Sequence, residues 1–137
     1  MGVNGSVVRK WRVAGGYAYQ DAYVTSATVA ARAGAQVAQV PHNTFSLWNH
    51  YQILPKLSAG LGILNRTDMY AGIDNTVILP GYVRADAGVF YSITEKIRIQ
   101  ANVENLTNRR YYMNADSNTN ISPGSPRAVR VGMIARF

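Results

Sequence analysis

The sequence predicts an all-β fold: an antiparallel six-stranded meander running as one domain through residues 1–137. Three observations carry this. Apolar and polar residues alternate with period 2 in six separate runs, the spacing that sends successive side chains to opposite faces of a strand. No apolar run approaches the ~18 residues that a membrane-spanning helix needs. The links between the runs are alternately short and long, as in a meander with tight turns at one end and large loops at the other.

The first run, "RKWRVAGGYAYQ", sets Trp11, Val13, Gly15, Tyr17 and Tyr19 on one face. In "TFSLWNHYQI" the apolar face is Phe45, Leu47, Tyr51 and Ile53, interrupted by Asn49. The residues around Pro55 turn the chain into "KLSAGLGIL", where Leu57, Ala59, Leu61 and Ile63 alternate with Ser58, Gly60 and Gly62. "YVRADAGVFY" opposes Val83, Ala85, Ala87, Val89 and Tyr91 to Arg84, Asp86, Gly88 and Phe90. A short link at 93–95 leads to "KIRIQANVEN", with Ile97, Ile99, Ala101 and Val103 opposite Arg98, Gln100, Asn102 and Glu104. The closing "PRAVRVGMIARF" sets Val129, Val131, Met133, Ala135 and Phe137 against Arg130, Gly132, Ile134 and Arg136. The long links fall near 25–39, 69–80 and 113–125. The first of these holds the Ala-rich "SATVAARAGAQVAQV", which opens on Ser26 as an N-cap and stops before Pro41, so a short helix is expected there, weakened by Gly34.

Composition narrows the function classes. There is no cysteine, which removes disulfide frameworks and thiolate metal sites. The formal charge is +7, but its fourteen basic residues are dispersed through alternating strands, the pattern of a solvated or lumenal face rather than of a nucleic-acid footprint. Nine Tyr and two Trp against three Phe suit surfaces with one dry and one wet side. The opening "MGVNGSVVRK" lacks an apolar signal core, so any export signal is expected elsewhere. Alternation alone fits both a soluble barrel or sandwich with its apolar face inward and a transmembrane barrel with that face in lipid. The loop asymmetry, the aromatics near strand ends (Trp11, Tyr19, Phe45, Tyr51, Tyr91, Tyr111, Tyr112) and the terminal Phe137 favour the membrane.

Five stretches in order, "VPHNTFSLWNHY" (40–51), "LPGYVRADA" (79–87), "VENLTNRRYY" (103–112), "PGSPR" (123–127) and the final "ARF", resemble the C-terminus of TonB-dependent outer-membrane receptors for ferric siderophores, the catecholate type most of all. The resemblance covers nearly the whole chain. It departs after Asn105–Leu106, where Thr107 and Asn108 replace the family's usual aromatic and Asp. It implies the last six strands of a 22-stranded barrel in the bacterial outer membrane, with a plug domain expected to be absent from this chain and TonB reached only through such a plug. The implied partners are outer-membrane lipid, the barrel-assembly machinery and the ferric siderophore as transported ligand, with no other cofactor and no nucleic acid. Val131, Met133 and Phe137 resemble the family's assembly signal.

Candidate site residues follow from the faces and loops. Arg12, Arg84, Arg98, Arg130 and Arg136 are expected to face the lumen, either attracting an anionic chelate or pairing with Asp86, Glu104 or a plug, pairing being favoured. Tyr70, Tyr112 and Asn118 in the long loops are candidates for touching ligand. His42 and His50 lack the companions of a metal site, and "DSNTN" from Asp116 carries Ile121 where a calcium loop needs glycine, so it reads as a polar external loop. No Ser-His-Asp order, nucleophile elbow or phosphate-cradling loop supports an enzyme. Six strands alone in lipid would leave two edges unsatisfied, a penalty of tens of kcal/mol at several per group, against the roughly 5–15 kcal/mol that stabilises a domain. Closure therefore needs further strands or copies of the chain. The alternatives are a small self-assembling outer-membrane pore and a soluble ligand-binding β-barrel.

Overall fold

The computed structural model describes all residues, 1–137, and contains only strands, turns and loops. In chain order the strands are β1 (Gly2–Val8), β2 (Trp11–Tyr19), β3 (Asn43–Leu54), β4 (Leu57–Arg66), β5 (Met69–Tyr70), β6 (Ile78–Leu79), β7 (Tyr82–Ser92), β8 (Ile97–Glu104), β9 (Tyr112–Ala115), β10 (Ile121–Pro123) and β11 (Ala128–Ala135). One antiparallel sheet takes the order β1-β2-β3-β4-β7-β8-β11, and the pairs β5–β6 and β9–β10 form two small hairpins in the long loops.

The sheet thus has seven strands where the periodicity predicts six. The missed strand, β1, reads "GVNGSVV": two glycines and an Asn hide its alternation, and a register shift between Ser6 and Val8 breaks the period. The expected helix at 26–40 is likewise absent. Thr28 Oγ1 accepts from the amides of Ala30 and Ala31 and so holds a turn instead of a helix start. Gly34 sits at φ +80°, and an isolated bridge between Tyr23 and Gln36 folds the segment back on itself.

The predicted loop asymmetry is present. Turns at 9–10, 55–56 and 93–96 lie at one end of the sheet, and the segments 20–42, 67–81 and 105–127 at the other.

Register then fixes the two faces. Trp11, Tyr51, Ala59, Val89, Ala101 and Val131 form one cross-strand row on the apolar face. Arg12, His50, Gly60, Gly88, Asn102 and Arg130 form a row on the other.

The core does not lie under the apolar face. The buried hydrophobic residues are Ala31, Ala35, Met69, Ala71, Leu79, Tyr82, Tyr111 and Ala115, and only Tyr82 of these belongs to the large sheet. Leu61, Val83, Val89, Tyr91, Val131 and Met133 are all exposed. A soluble two-layer fold buries such a face against a second layer; here nothing in the chain covers it, which is the condition of a strand wall facing lipid.

Candidate functional site

The polar face is built around Trp48. Its indole lies over Gly60 and Gly62 of the neighbouring strand, and a Cβ at either glycine would run into the ring. The two glycines make the seat for an aromatic side chain. Beside it is a depression of about 480 Å³ lined by Ala14, Ser46, Trp48, Arg84 and Asp86, and a second of about 300 Å³ reaching Asn102, Glu104 and Arg130.

Arg84 organises the loop-side half of this face. Its guanidinium donates to Asp86 Oδ2 at 2.9 Å, to Glu104 Oε1 at 2.9 Å and to the Tyr111 hydroxyl at 3.0 Å. Arg130 reaches the other Glu104 oxygen at 3.3 Å. Asp86 Oδ1 meanwhile accepts the Asn105 amide at 2.8 Å, so the ion network is tied to the backbone that starts the last long loop. The Arg84, Asp86 and Glu104 side chains keep 18%, 26% and 23% of their exposure, which places them between surface and buried ion pairs. Tyr111 packs on Tyr82, ring centroids 4.4 Å apart, and on Gly124, where a Cβ would collide with its ring.

Arg12, Arg84, Arg98 and Arg130 fall on this face by register, and Arg136, just beyond the end of β11, lines a cavity with Arg98, but the five are not one cluster. Arg84 and Arg130 pair with Asp86 and Glu104, as favoured from the sequence. Arg12 approaches His50 Nδ1 at 3.5 Å, and Arg98 lies over the Phe90 ring at 5.7 Å. Arg136 donates its backbone N–H to the Lys96 carbonyl, and with Arg98 and Lys96 lines a cavity of about 220 Å³ near the tight turns.

Above the sheet the long loops form a layer with its own small core. Met69, Ala71 and Leu79 pack on Ala115, joining the β5–β6 and β9–β10 hairpins. Arg66 donates to the carbonyls of Tyr112 and Met113 at 3.0 and 2.7 Å, anchoring that layer to β4. Asn118 Nδ2 donates to Asp74 Oδ2 at 2.7 Å and to Thr76 Oγ1 at 3.0 Å. The Thr76 hydroxyl and the Asn118 amide hold the Asp74 carboxyl below its usual range. In the first long loop, hydrogen bonding to Asp21 and its charge raise the Tyr23 phenol above its usual value.

The three ligand candidates are therefore dispersed. Asn118 is engaged in tying two loops, Tyr70 lies on β5 with its carbonyl accepting the Gln39 amide, and Tyr112 lines a cavity of about 490 Å³ with Arg109, Arg110 and Pro123. "DSNTN" closes the β9–β10 hairpin, a polar turn as expected. His42 bonds Gln36 at 2.7 Å and lies 3.6 Å from Asp21.

Sequence reasoning missed Asn105. Fully buried and at φ 53°, it donates from Nδ2 to the carbonyls of Arg109 and Ser125 and accepts the Arg109 amide. Its signal was available: Asn tolerates the left-handed region and bonds nearby backbone, as few residues do. On β11, Val131 and Met133 project from the apolar face of an edge strand, and Phe137 lies beyond the strand end, fully exposed.

A family model described as TonB dependent receptor-like, beta-barrel matches residues 1–106. The probable TonB-dependent siderophore receptor PiuA of Acinetobacter baumannii is 32% identical over 125 residues, covering 84% of this chain and 17% of that protein. The catecholate siderophore receptor Fiu of Escherichia coli K12 is 32% identical over 131 residues, covering 91% of this chain and 17% of that protein. The crystal structure of Fiu in its closed form superposes with a TM-score of 0.86 at 30% identity, over 99% of this chain and 20% of that one. The chain spans about a fifth of the length of the relatives it matches.

Proposed function

The chain belongs to the TonB-dependent receptor β-barrel family, whose barrels reside in the bacterial outer membrane, and from that premise we propose that it forms the C-terminal barrel wall of an outer-membrane receptor for ferric siderophores. It serves uptake, not catalysis. The observation that supports this most directly is the pair of faces: an apolar face that no part of the chain covers, backed by a polar face carrying the Arg84–Asp86–Glu104–Arg130 network.

In this reading lipid covers the first face, and the second lines the lumen, where TonB acts through a plug. Val131 and Met133 on the exposed edge strand, with Phe137 just beyond its end, are what the barrel-assembly machinery engages. The long-loop layer receives the ferric siderophore, with Tyr112 beside Arg109 and Arg110 at the loop cavity and Tyr70 on the neighbouring hairpin. Asn118 contributes by holding the loops in place rather than by direct contact. The test is uptake of iron-55 complexed to a catecholate siderophore by iron-starved cells with the gene intact, deleted and restored. Uptake that falls on deletion and returns on restoration is expected; equal uptake in all three refutes the reading.

A second reading has copies of the chain pairing β1 of one with β11 of the next, since both strands are open edges. A single discrete oligomeric mass in mild detergent, with a band that shifts on heating, supports it. The soluble-barrel alternative gives no account of the uncovered apolar face.

A further inference from the structure

The basic and acidic residues are sorted along the strand direction. Arg9 and Lys10 form the β1–β2 turn, Lys56 lies in the β3–β4 turn, and Lys96 in the β7–β8 turn. Arg12 and Arg98 follow within two residues of these turns, and Arg136 is bonded through its backbone to Lys96. Half of the fourteen basic residues thus gather at the tight-turn end, whereas of the seven acidic residues only Glu95 does. All of these residues are exposed, and every carboxylate that forms an ion pair, Asp21, Asp86 and Glu104, lies toward the long loops. The net charge of the whole chain is therefore concentrated at one rim, with Glu95 as its one acidic side chain.

The surroundings say what kind of partner fits. The four turn cations stand directly beyond the apolar face, whose last residues at that end include Trp11, Tyr51 and Tyr91. Amphipathic aromatics of this kind settle at the boundary between hydrocarbon and headgroups. Cations one step further out lie at the depth of lipid phosphates, where a Lys or Arg strengthens binding to an anionic surface about fivefold. Arg12 and Arg98 face the other side of the sheet, Arg136 lines a cavity with Arg98, and the three add to the potential without touching lipid.

We propose that the tight-turn rim is a binding surface for anionic phospholipid headgroups, with Arg9, Lys10, Lys56 and Lys96 making the contacts. This rests on the reading of the apolar face as lipid-facing, and the test separates the two. The full chain is diluted from detergent onto preformed vesicles of zwitterionic phosphatidylcholine alone or with one-fifth phosphatidylglycerol, where binding to the vesicle surface needs no closed barrel, and the bound fraction is read by flotation at low and high salt.

Flotation with neutral vesicles reports the apolar face. A further rise of at least tenfold in partitioning with phosphatidylglycerol, abolished by high salt and by the combined change Arg9→Gln, Lys10→Gln, Lys56→Gln, Lys96→Gln, is the expected result. The control is Arg32→Gln, Arg109→Gln, Arg110→Gln, Arg127→Gln, which removes as much charge from the loop end and is expected to retain the rise. Flotation that is indifferent to phosphatidylglycerol overturns the proposal and leaves the membrane reading standing. Equal loss in both variants overturns it too, since only net charge would then matter. Failure to float with either vesicle overturns both.

Discussion

Replacing Arg84 by Met should destabilise the protein by about 2–3 kcal/mol, placing the ion network between two known limits. Nitrogen–oxygen distances of 2.9 Å to Asp86 and Glu104 put the charge centres ~4 Å apart, where attraction at an effective dielectric of ~20 is ~4 kcal/mol per pair. Desolvation offsets much of this, and removing one partner costs about 0–1 kcal/mol for exposed pairs and 3–5 kcal/mol for buried ones. With side chains of 18–26% exposure the site lies nearer the buried limit. Methionine keeps the length of the side chain while leaving two carboxylates facing each other. The assay is urea unfolding in detergent micelles, followed by Trp48 emission in a Trp11→Phe background, because Trp48 lines both depressions with Arg84 and Asp86. A double-mutant cycle with Glu104→Gln isolates the pair, and a coupling above ~1 kcal/mol is expected. Additivity within ~0.5 kcal/mol would refute the network as a coupled unit.

Gly62→Ala should cost about 1–3 kcal/mol by overpacking and shift the Trp48 emission to the red, because the new methyl displaces the indole from its seat. Asn105→Ala should cost about 2–4 kcal/mol in the same urea assay, since it removes three hydrogen bonds from a fully buried side chain at φ 53°. Asp74 titrates below its usual 3.8, so its folded form gains stability that is complete above that value and is lost as pH falls through the lowered one. Proteolysis of the β5–β6 loop should accordingly rise below that pH, and Thr76→Val should move the onset upward. Gly72→Ala should loosen the same cross-link at any pH, read as faster cleavage, because a Cβ there falls 2.6 Å from Asn118 Oδ1.

The strands with clean alternation were legible because one face of each is apolar throughout: in "YVRADAGVFY" the period alone gives both the strand and the facing of Arg84 and Asp86. β1 was not, because Gly2, Asn4 and Gly5 supply no apolar signal and the bulge near Val7 shifts the period; its place is set by pairing with β2, a non-local fact. The Ala-rich stretch at 26–40 misled through composition: Ala favours helix, but Thr28 and Gly34 impose turns that summed propensity does not weigh. At the site, the pairing of Arg84 and Arg130 with Asp86 and Glu104 followed from strand faces. The seating of Trp48 on two glycines and the tie from Asn118 to Asp74 depend on register between strands and on loops meeting in space, which no local pattern carries.

The central claim, that the apolar face meets lipid and the other face water, is tested most directly by scanning accessibility along β7. The chain has no cysteine, so single Cys substitutions at 83 through 91 each give one labelling site. Spin labels in outer membranes from expressing cells would be read for collisions with oxygen and with a water-soluble nickel chelate. The account predicts strict alternation, with positions 83, 85, 87, 89 and 91 oxygen-accessible and positions 84, 86, 88 and 90 nickel-accessible or shielded. The inverse alternation, or accessibility that does not alternate, would contradict it.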